Sequence, residues 1–516
     1  MTRIFIGKDT DNVNQALSLN LANRHGLIAG ATGTGKTVTL QILTEGFSKA
    51  GVPVFAADVK GDLSGLSQAG SPDHKLHEKL IARAGKIGLE DYEYAAFPTI
   101  FWDLHGKNGH PIRTTISEMG PMLLSRLMDL TDAQEGVMHI AFDVAEDNNW
   151  PLVNLKDLRA TLIFVTENRK DLAMHYGNIT SQTVAAIMRE LLVLEREGAD
   201  KFFGEPALKL SDLMRSDMRG QGIVNILAAD QLINSPRLYS TFLLWLLSEL
   251  FEDLPEVGDP DKPVMAFFFD EAHLLFQDSP KALVDKIKQV ARLIRSKGVS
   301  VWFVTQNPAD IPDDVLGQIG NRIQHALRGY TPKEQRAIRA SADAFRPNPN
   351  FKTVDVISEL GVGEALVSVL DPKGRPQMVG QTLIRPPASR LGPASKGERE
   401  AIIENSPVKG IYDTLIDRKS AEEILMAKRE TLAKAQKEAA KEVEEKTKKD
   451  LPRDAASKKK TSKKKSASRA KGRSSGRRKK SAGDHLMHEV KLVGRQLARS
   501  QGRRLLRGIL GSMMRR

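Results

Sequence analysis

The run GATGTGKT, from Gly30 to Thr37, sets the architecture of this chain. It matches G-x-x-x-x-G-K-[ST], the loop that wraps the phosphates of a nucleotide. Its glycines permit backbone angles that are closed to other residues, so successive amides can turn inward on an anion. Lys36 would place its ammonium on the β- and γ-phosphates, and Thr37 would offer its hydroxyl to Mg²⁺. The sequence therefore predicts a site for a nucleoside triphosphate with Mg²⁺.

The flanks of this loop agree with the motif. Leu27 to Ala29 is a short apolar run suited to a buried strand, and an apolar stripe from Val38 to Phe47 has roughly helical spacing. Strand, glycine loop and helix thus follow in the required order. The residues predicted to contact the nucleotide are the loop and the start of the helix: Gly30, Ala31, Thr32, Gly33, Thr34, Gly35, Lys36, Thr37 and Val38.

Length and composition restrict the remaining possibilities. A chain of 516 residues with 41% apolar content predicts one large or two modest folded units with extensions. Cysteine is absent, which excludes disulfides and thiolate chemistry and fits a reducing compartment. The N-terminal residues carry charge too early for a secretory signal, and no apolar run reaches the roughly 20 residues of a membrane span. We expect a soluble, cytoplasmic protein without a transmembrane segment.

The net charge of +13 is concentrated near the C-terminus. Residues 453–482 hold 14 Lys or Arg and a single acid, whereas residues 1–452 are mildly acidic. This segment has no aliphatic residue larger than alanine, so we expect a disordered, Lys/Arg-rich linker. Nucleic-acid phosphates are its favoured partner through counterion release, with DNA as the expected case. Anionic lipid, an acidic protein or a purely solubilising role are the alternatives.

Residues 483–516 have the pattern of a cationic amphipathic helix. Leu486, Val490, Val493 and Leu497 are spaced by four, three and four residues among several arginines. Packing on the body of the protein or on a neighbouring subunit is one interpretation. Peripheral binding to an anionic membrane surface is the other, since Lys/Arg-rich helices with a Leu/Ile face bind there.

Between these ends, strand and helix patterns alternate. An α/β fold is predicted, with a parallel sheet covered by helices on both faces and a largely helical insertion at about 122–204. A closing hairpin pairs residues 365–370 with 378–383. The body is expected to be one domain of residues 1–390, followed by a charged helical extension, 391–452. The other predicted strands are Pro53–Ala57, Phe97–Trp102, Ile223–Ala228, Val264–Phe269 and Val299–Thr305.

The segment VMAFFFDEAH, Val264 to His273, is the second chemical motif. A continuous apolar strand would deliver Asp270 to the sheet edge where ligands of open α/β folds bind, within reach of Mg²⁺. Glu271 would orient the attacking water as a base. Two adjacent acids after a phosphate loop therefore favour hydrolysis over simple binding, although a strand that ends in a polar turn has the same pattern.

The segment VWFVTQNPADIP, Val301 to Pro312, is the third chemical motif. Its strand ends in Gln306, a neutral amide that can bond both the γ-phosphate and the attacking water; a polar strand cap is the alternative. No N-K-x-D sequence lies in the strand-end loops, which argues against GTP. ATP is therefore the expected nucleotide.

Together these segments resemble the HerA/FtsK superfamily of ring-forming P-loop ATPases, and within it the bacterial YjgR-like branch of HerA-like proteins. The resemblance covers about residues 20–390. It is carried by RHGLIAGATGTGKT from Arg24, DVKGDLSGL from Asp58, RTTISEMGP from Arg113, FFFDEAHLL from Phe267, and ARLIRSKGVSVWFVTQNPADIPDDVLGQIGNRIQHALR from Ala291. HerA itself carries an N-terminal β-barrel, whereas the 29 residues before Gly30 leave room for a strand or two.

The resemblance implies a RecA/FtsK-like P-loop fold, a homohexamer with ATP between subunits, and DNA translocase or helicase-type ATPase activity. It also implies that an arginine of one subunit reaches the γ-phosphate of its neighbour. In the matched segment Arg295 and Arg322 are the first candidates for this role, with Arg292 and Arg328 behind them. An ATP-driven switch acting on protein or membrane partners, without DNA translocation, remains the alternative function.

Overall fold

The computed structural model describes residues 2–229, 236–276 and 281–449. A compact unit covers residues 1–440. The predicted linker at 453–482 and the predicted amphipathic helix at 483–516 lie outside the described residues, so both stay predictions.

A twelve-stranded sheet forms the centre of the described chain. Its strands, in chain order, are β1 (Arg3–Asp9), β2 (Asn14–Ser18), β3 (Gly26–Ala29), β4 (Val54–Asp58), β5 (Thr99–Asp103), β6 (His110–Pro111), β7 (Val224–Ala228), β8 (Met265–Phe269), β9 (Val299–Thr305), β10 (Asn321–Gln324), β11 (Glu364–Ser368) and β12 (Gly380–Ile384). Their order across the sheet is β2-β1-β12-β11-β10-β3-β9-β8-β4-β7-β5-β6. The strands predicted from the sequence end within two residues of those observed.

The sheet has a parallel and an antiparallel part. From β10 to β6 all neighbours are parallel. β11 and β12 form the predicted hairpin and, with β1 and β2, extend one edge antiparallel. The residues before β3 thus add two edge strands to this same sheet.

The helices are α1 (Lys36–Lys49), α2 (His77–Lys86), α3 (Ile116–Leu127), α4 (Asp132–Asp147), α5 (Leu155–Glu167), α6 (Arg169–Tyr176), α7 (Ser181–Arg196), α8 (Ala199–Phe202), α9 (Leu210–Leu213), α10 (Pro236–Asp253), α11 (Lys281–Leu293), α12 (Asp313–Leu316), α13 (Pro332–Asp343), α14 (Thr353–Glu359), α15 (Lys396–Glu404) and α16 (Ala421–Lys449). Helices α3 to α9 lie between β6 and β7, where the sequence predicted a helical insertion. Within the described ranges, no helix combines the length and the apolar character that crossing a membrane requires.

Alternate residues of the central strands face two separate apolar cores. In β8, Met265, Phe267 and Phe269 belong to the core shared with the insertion helices and α10. Ala266 and Phe268 belong to the core on the opposite face, which includes α1. Because side chains of a strand alternate between faces, a strand buried on both sides must be apolar throughout. The predicted α/β fold with helices on both faces is confirmed.

The chain stays packed on the body beyond residue 390. Ser389 donates its backbone N–H and its hydroxyl to Glu45 of α1, at 2.9 and 2.7 Å. The backbone N–H of Ala394 donates to the hydroxyl of Ser64 at 2.9 Å. Further along, the Tyr412 ring is fully buried and packs edge-on against a sheet tryptophan, with ring centroids 5.3 Å apart. The segment after the hairpin is therefore fastened both to α1 and to the turn that follows β4.

Candidate functional site

The glycine loop connects β3 to α1 at the carboxyl end of the parallel strands. Gly30 and Gly35 adopt φ angles of 153° and 114°. A Cβ on Gly30 would lie 2.5 Å from the Cβ of His325, and one on Gly35 would lie 3.3 Å from the Cα of Gly363. Since neither the angle nor the space suits a larger residue, the glycines are required by the geometry of the loop.

Neighbouring strand ends hold this loop in place. The backbone N–H of Gly30 donates to the Thr305 carbonyl at 3.3 Å, and that of Ala31 donates to the Ala326 carbonyl at 2.8 Å. The N–H of Gly363 donates to the carbonyl of Thr34 at 3.0 Å. The loop is therefore fixed by β9, by the residues after β10 and by the turn before β11.

The ring of His325 connects α1, which follows the loop, to β11. Its ring is fully buried, with Nδ1 2.9 Å from the Glu364 carbonyl and Nε2 2.9 Å from the Thr39 hydroxyl. Because a carbonyl only accepts, Nδ1 carries the hydrogen and Nε2 accepts from Thr39. Burial lowers the pKa of His325 to about 4, so the ring is neutral at pH 7.

Lys36 lies across the mouth of the loop. Its Nζ donates to the carbonyls of Gly30 at 2.6 Å and Ala31 at 3.1 Å, and the side chain is buried. Burial lowers its pKa, an effect that the nearby charge of Glu271 opposes. A buried ammonium whose hydrogen bonds, among the residues that the structure describes, go to loop carbonyls is suited to exchange them for phosphate oxygens. Thr32 and Gly33 are exposed at the loop tip, whereas Thr37 and Val38 are partly buried at the first turn of α1.

Asp270 and Glu271 follow β8 and lie beside the end of β4. Glu271 is 4% exposed and adopts the left-handed conformation, with φ 48°, and its N–H donates to Asp270 Oδ1 at 3.0 Å. Burial, followed by the charge of Glu271, raises the pKa of Asp270 to about 6. Burial and the charge of Asp270 raise the pKa of Asp58, at the end of β4, to about 7. The carboxyl groups of Asp58, Asp270 and Glu271 therefore lie close together at the ends of β4 and β8, largely shielded from water.

The residues fit a Mg²⁺-bound nucleotide. In the described part of the chain, no group of three or more acids or histidines could hold a metal alone. Mg²⁺ in nucleotide sites needs few protein oxygens, because phosphates and water complete its coordination. The Thr37 hydroxyl and the Asp270 carboxylate are such oxygens. A divalent cation here would also offset the crowding that raises the pKa of both aspartates.

Gln306 connects the two halves of the site. Its Oε1 accepts from the hydroxyl of Thr32 at 3.1 Å, and its Nε2 donates to Glu271 Oε1 at 3.1 Å and Oε2 at 3.3 Å. One amide thus contacts the exposed tip of the glycine loop and the carboxylate predicted to orient water. The structure brings together Lys36, Asp270, Glu271 and Gln306, all placed in the site by the sequence.

Two further residues contact Glu271 and were not assigned a role from the sequence. Lys60 Nζ lies 2.5 Å from Glu271 Oε1, and His273 Nδ1 lies 3.3 Å from Oε2. Burial would raise the pKa of Glu271, but the hydrogen bond and charge of Lys60, together with the Gln306 hydrogen bond and the charge of His273, lower it on balance. The signals were present in the sequence, since Lys60 lies in DVKGDLSGL and His273 ends FFFDEAH.

The predicted arginines lie apart from one another. Arg295 precedes β9, at the opposite end of that strand from Gln306, and pairs with Asp259 at 3.6 Å. Arg322 lies in β10, donates to the Leu316 carbonyl at 3.0 Å and lines a cavity of about 300 Å³. Arg328 donates to the Ser358 carbonyl after β10, and Arg292 is exposed near the end of α11. None of these four has a bond to a residue of the glycine loop in the described chain.

The fold and this site define the class of the protein as a P-loop ATPase. The sequence profile described as "Helicase HerA-like C-terminal" matches residues 3–516. The chain belongs to that family, and the predicted relation to HerA-like ATPases is confirmed.

Individual relatives are distant. The DNA double-strand break repair helicase HerA of Saccharolobus solfataricus is 24% identical over 365 residues, which cover 70% of this chain and 64% of the relative. The chain therefore spans slightly less than two thirds of the length of this curated relative.

Solved structures with some similarity include VirB4 of Thermoanaerobacter pseudethanolicus, at 17% identity and a TM-score of 0.46, over 77% of this chain and 97% of that one. The plasmid coupling protein TrwB in complex with a non-hydrolysable ATP analogue has 15% identity and a TM-score of 0.47, over 76% and 97% of the two chains.

Proposed function

We propose that this protein is an ATP-driven motor that acts on DNA as a ring of identical subunits. The observation that carries the proposal is the Gln306 amide, which contacts both Thr32 at the loop tip and the carboxylate of Glu271. Through this contact, the hydrogen bonding of Glu271 would depend on whether the loop holds a nucleotide. A motor requires that dependence. A protein that only stores nucleotide does not.

The roles of the side chains follow from their positions. Lys36 would exchange its loop carbonyls for the β- and γ-phosphates, and Gln306 would hold the attacking water against the γ-phosphate. Glu271 would accept the proton of that water as the new oxygen–phosphorus bond forms in line with the leaving ADP oxygen. Mg²⁺, held by Thr37 and Asp270, would neutralise charge on the phosphates. ATP is proposed over GTP because no N-K-x-D sequence is present.

DNA is proposed as the substrate on two grounds. The segment 453–482 holds 14 Lys or Arg with one acid, a composition that neutralises phosphates. The curated relative is named a DNA double-strand break repair helicase. The ring, with an arginine reaching the neighbouring site, is proposed from the family resemblance, and Arg295 and Arg322 are the first residues to test.

The test measures ATP turnover with and without duplex DNA. We expect DNA to stimulate turnover severalfold. Lys36→Ala should lose nucleotide binding, whereas Glu271→Gln should bind ATP and fail to turn it over. In the presence of a non-hydrolysable analogue, light scattering should give the mass of six chains.

Two results would contradict the proposal at different levels. Turnover that is unchanged by DNA would favour the switch acting on protein or membrane partners. Normal turnover by Glu271→Gln would show that another group prepares the water.

A further inference from the structure

We propose that Lys60 is a positioning residue that restrains Glu271, and that this carboxylate becomes free to orient water only after the Lys60 contact is broken. The inference rests on the proposed hydrolysis at this site and adds to it a residue that sets the basal rate.

The contact between the two side chains is short and asymmetric. Lys60 Nζ lies 2.5 Å from Glu271 Oε1. The lysine side chain is 42% exposed, whereas that of Glu271 is 5% exposed. Lys60 can therefore move its ammonium into water at little cost, while Glu271 must keep polar partners inside the site. The lysine is the mobile member of the pair.

Both oxygens of Glu271 are occupied. Oε1 receives Lys60 and Gln306, and Oε2 receives Gln306 and His273, over distances from 2.5 to 3.3 Å. The hydrogen bonds from Lys60 and Gln306 take three of the roughly four acceptor positions of the carboxylate, and His273 Nδ1 lies 3.3 Å from Oε2. The Lys60 contact is the shortest and joins opposite charges, which makes it the strongest of the set. Breaking the Lys60 contact would therefore open the most strongly held position, on Oε1, to a water molecule.

The backbone after Lys60 is held by two hydrogen bonds to Asp58, so we expect the change to involve mainly the Lys60 side chain. The carboxylate of Asp58 accepts from the N–H of Gly61 at 2.8 Å and from the N–H of Leu63 at 3.0 Å. Gly61 adopts φ 81°, a left-handed conformation that suits glycine. The turn is thereby fixed to the end of β4, next to β8, and the lysine side chain spans the gap between the two strand ends.

Gln306 would transmit nucleotide binding to Glu271, as a step that comes before the Lys60 contact breaks. Its amide also contacts the Thr32 hydroxyl at 3.1 Å, at the exposed tip of the phosphate loop. A γ-phosphate at that tip would compete for both groups, because charge-assisted hydrogen bonds are stronger than neutral ones. When Gln306 turns toward the phosphate, Glu271 loses two of its four contacts. The ion pair with Lys60 remains and keeps the carboxylate from turning toward the water until that pair breaks.

The test is Lys60→Met, which keeps the length of the side chain and removes its charge. Turnover is measured without DNA, so the result does not depend on the substrate of the motor. We expect basal ATP turnover to rise about two- to fivefold, the range set by loss of one partly exposed ion pair. The Kd for Mg-ATP should stay within about twofold, because Lys60 does not contact the phosphate loop. Stimulation by DNA, where present, should shrink by the same factor.

Three variants make the result specific. Lys60→Arg keeps a cation next to Glu271 and should bring turnover back toward the wild-type rate. Lys79→Met removes an exposed lysine of α2 and should change nothing. In the double variant Lys60→Met with Glu271→Gln, the rise should vanish.

Several outcomes would overturn the inference. Basal turnover by Lys60→Met that equals or falls below the wild-type rate would show that Lys60 does not restrain the carboxylate. A rise that persists in the Glu271→Gln background would show that Lys60 acts elsewhere. Turnover that is absent from wild type and variant alike would overturn both this inference and the proposed hydrolysis. If Lys60→Met raises basal turnover but DNA stimulates neither protein, only the proposed DNA motor is overturned.

Discussion

At the scale of single residues, Gln306 has the most informative position, because it contacts Thr32 and Glu271 at once. Gln306→Ala removes the amide that would hold the attacking water and leaves the phosphate loop intact. We expect turnover to fall about 10- to 100-fold, as for loss of one oriented polar group in a transition state, with nucleotide affinity little changed. Steady-state turnover and calorimetric titration with Mg-ATP measure the two quantities.

Gln318→Ala is the matched control for that variant, since Gln318 is exposed and lies twelve residues further along the chain. Its turnover should equal that of the wild type. A Gln306→Ala protein with full turnover would mean that this amide is only a structural link between the loop and the acids.

At the scale of elements, a buried ion pair joins α1 to the segment after β12. Glu45 is fully buried; its Oε2 lies 3.0 Å from Arg385 Nη2, and its Oε1 accepts two hydrogen bonds from Ser389. Glu45→Met would leave the guanidinium buried without a counter-charge, so we expect a loss of about 3–5 kcal/mol in the free energy of unfolding. Urea unfolding followed by circular dichroism measures it.

Two comparisons test the cause of that loss. Glu404→Met breaks an exposed pair with Lys409 and should cost at most about 1 kcal/mol. Adding Arg385→Met to Glu45→Met should recover part of the stability, because the uncompensated charge is then gone. If the double variant is less stable than Glu45→Met, the pair contributes mainly through packing.

Elements also show which parts of the molecule the sequence could predict. Strands β8 and β9 were found because strands buried on both faces are continuously apolar, and this signal is local. The contact of Lys60 with Glu271 was missed because it depends on β4 lying next to β8, and sheet order is not written in either segment. The position of Arg295 relative to Gln306, by contrast, follows from the sequence, because the predicted strand Val299–Thr305 lies between them and so places them at its opposite ends.

At the scale of the whole molecule, buried titratable groups make stability depend on pH. Burial lowers the pKa of His25 and of His325 to about 4. The unfolded chain protonates its histidines near pH 6.5 and so binds more protons than the folded chain between pH 6.5 and 4. Each histidine therefore destabilises the fold as the pH falls through this window. Asp58 and Asp270, whose pKa values are raised to about 7 and 6, act in the opposite direction.

The contribution of one histidine can be isolated. His325→Gln keeps a donor for the Glu364 carbonyl and an acceptor for Thr39, without a group that titrates. On lowering the pH from 7.5 to 5.0, the variant should lose about 2 kcal/mol less stability than the wild type. Urea unfolding at the two pH values, without nucleotide or Mg²⁺, measures the difference.

Gln318→Ala, which changes an exposed residue that does not titrate, serves as the control and should leave the pH dependence unchanged. An equal pH dependence in His325→Gln and wild type would mean that folding does not lower the pKa of His325.

The attachment of the chain after β12 has a mechanical consequence. Ser389 is bonded to α1, and Ala394 is bonded to Ser64 in the turn that follows Lys60. The chain beyond these two anchors is packed on the sheet again at Tyr412, whose buried ring contacts Trp102. A load on the trailing end of the polypeptide would therefore meet this contact first, and the helix that begins with Lys36 is shielded from tension until the Tyr412 packing gives way.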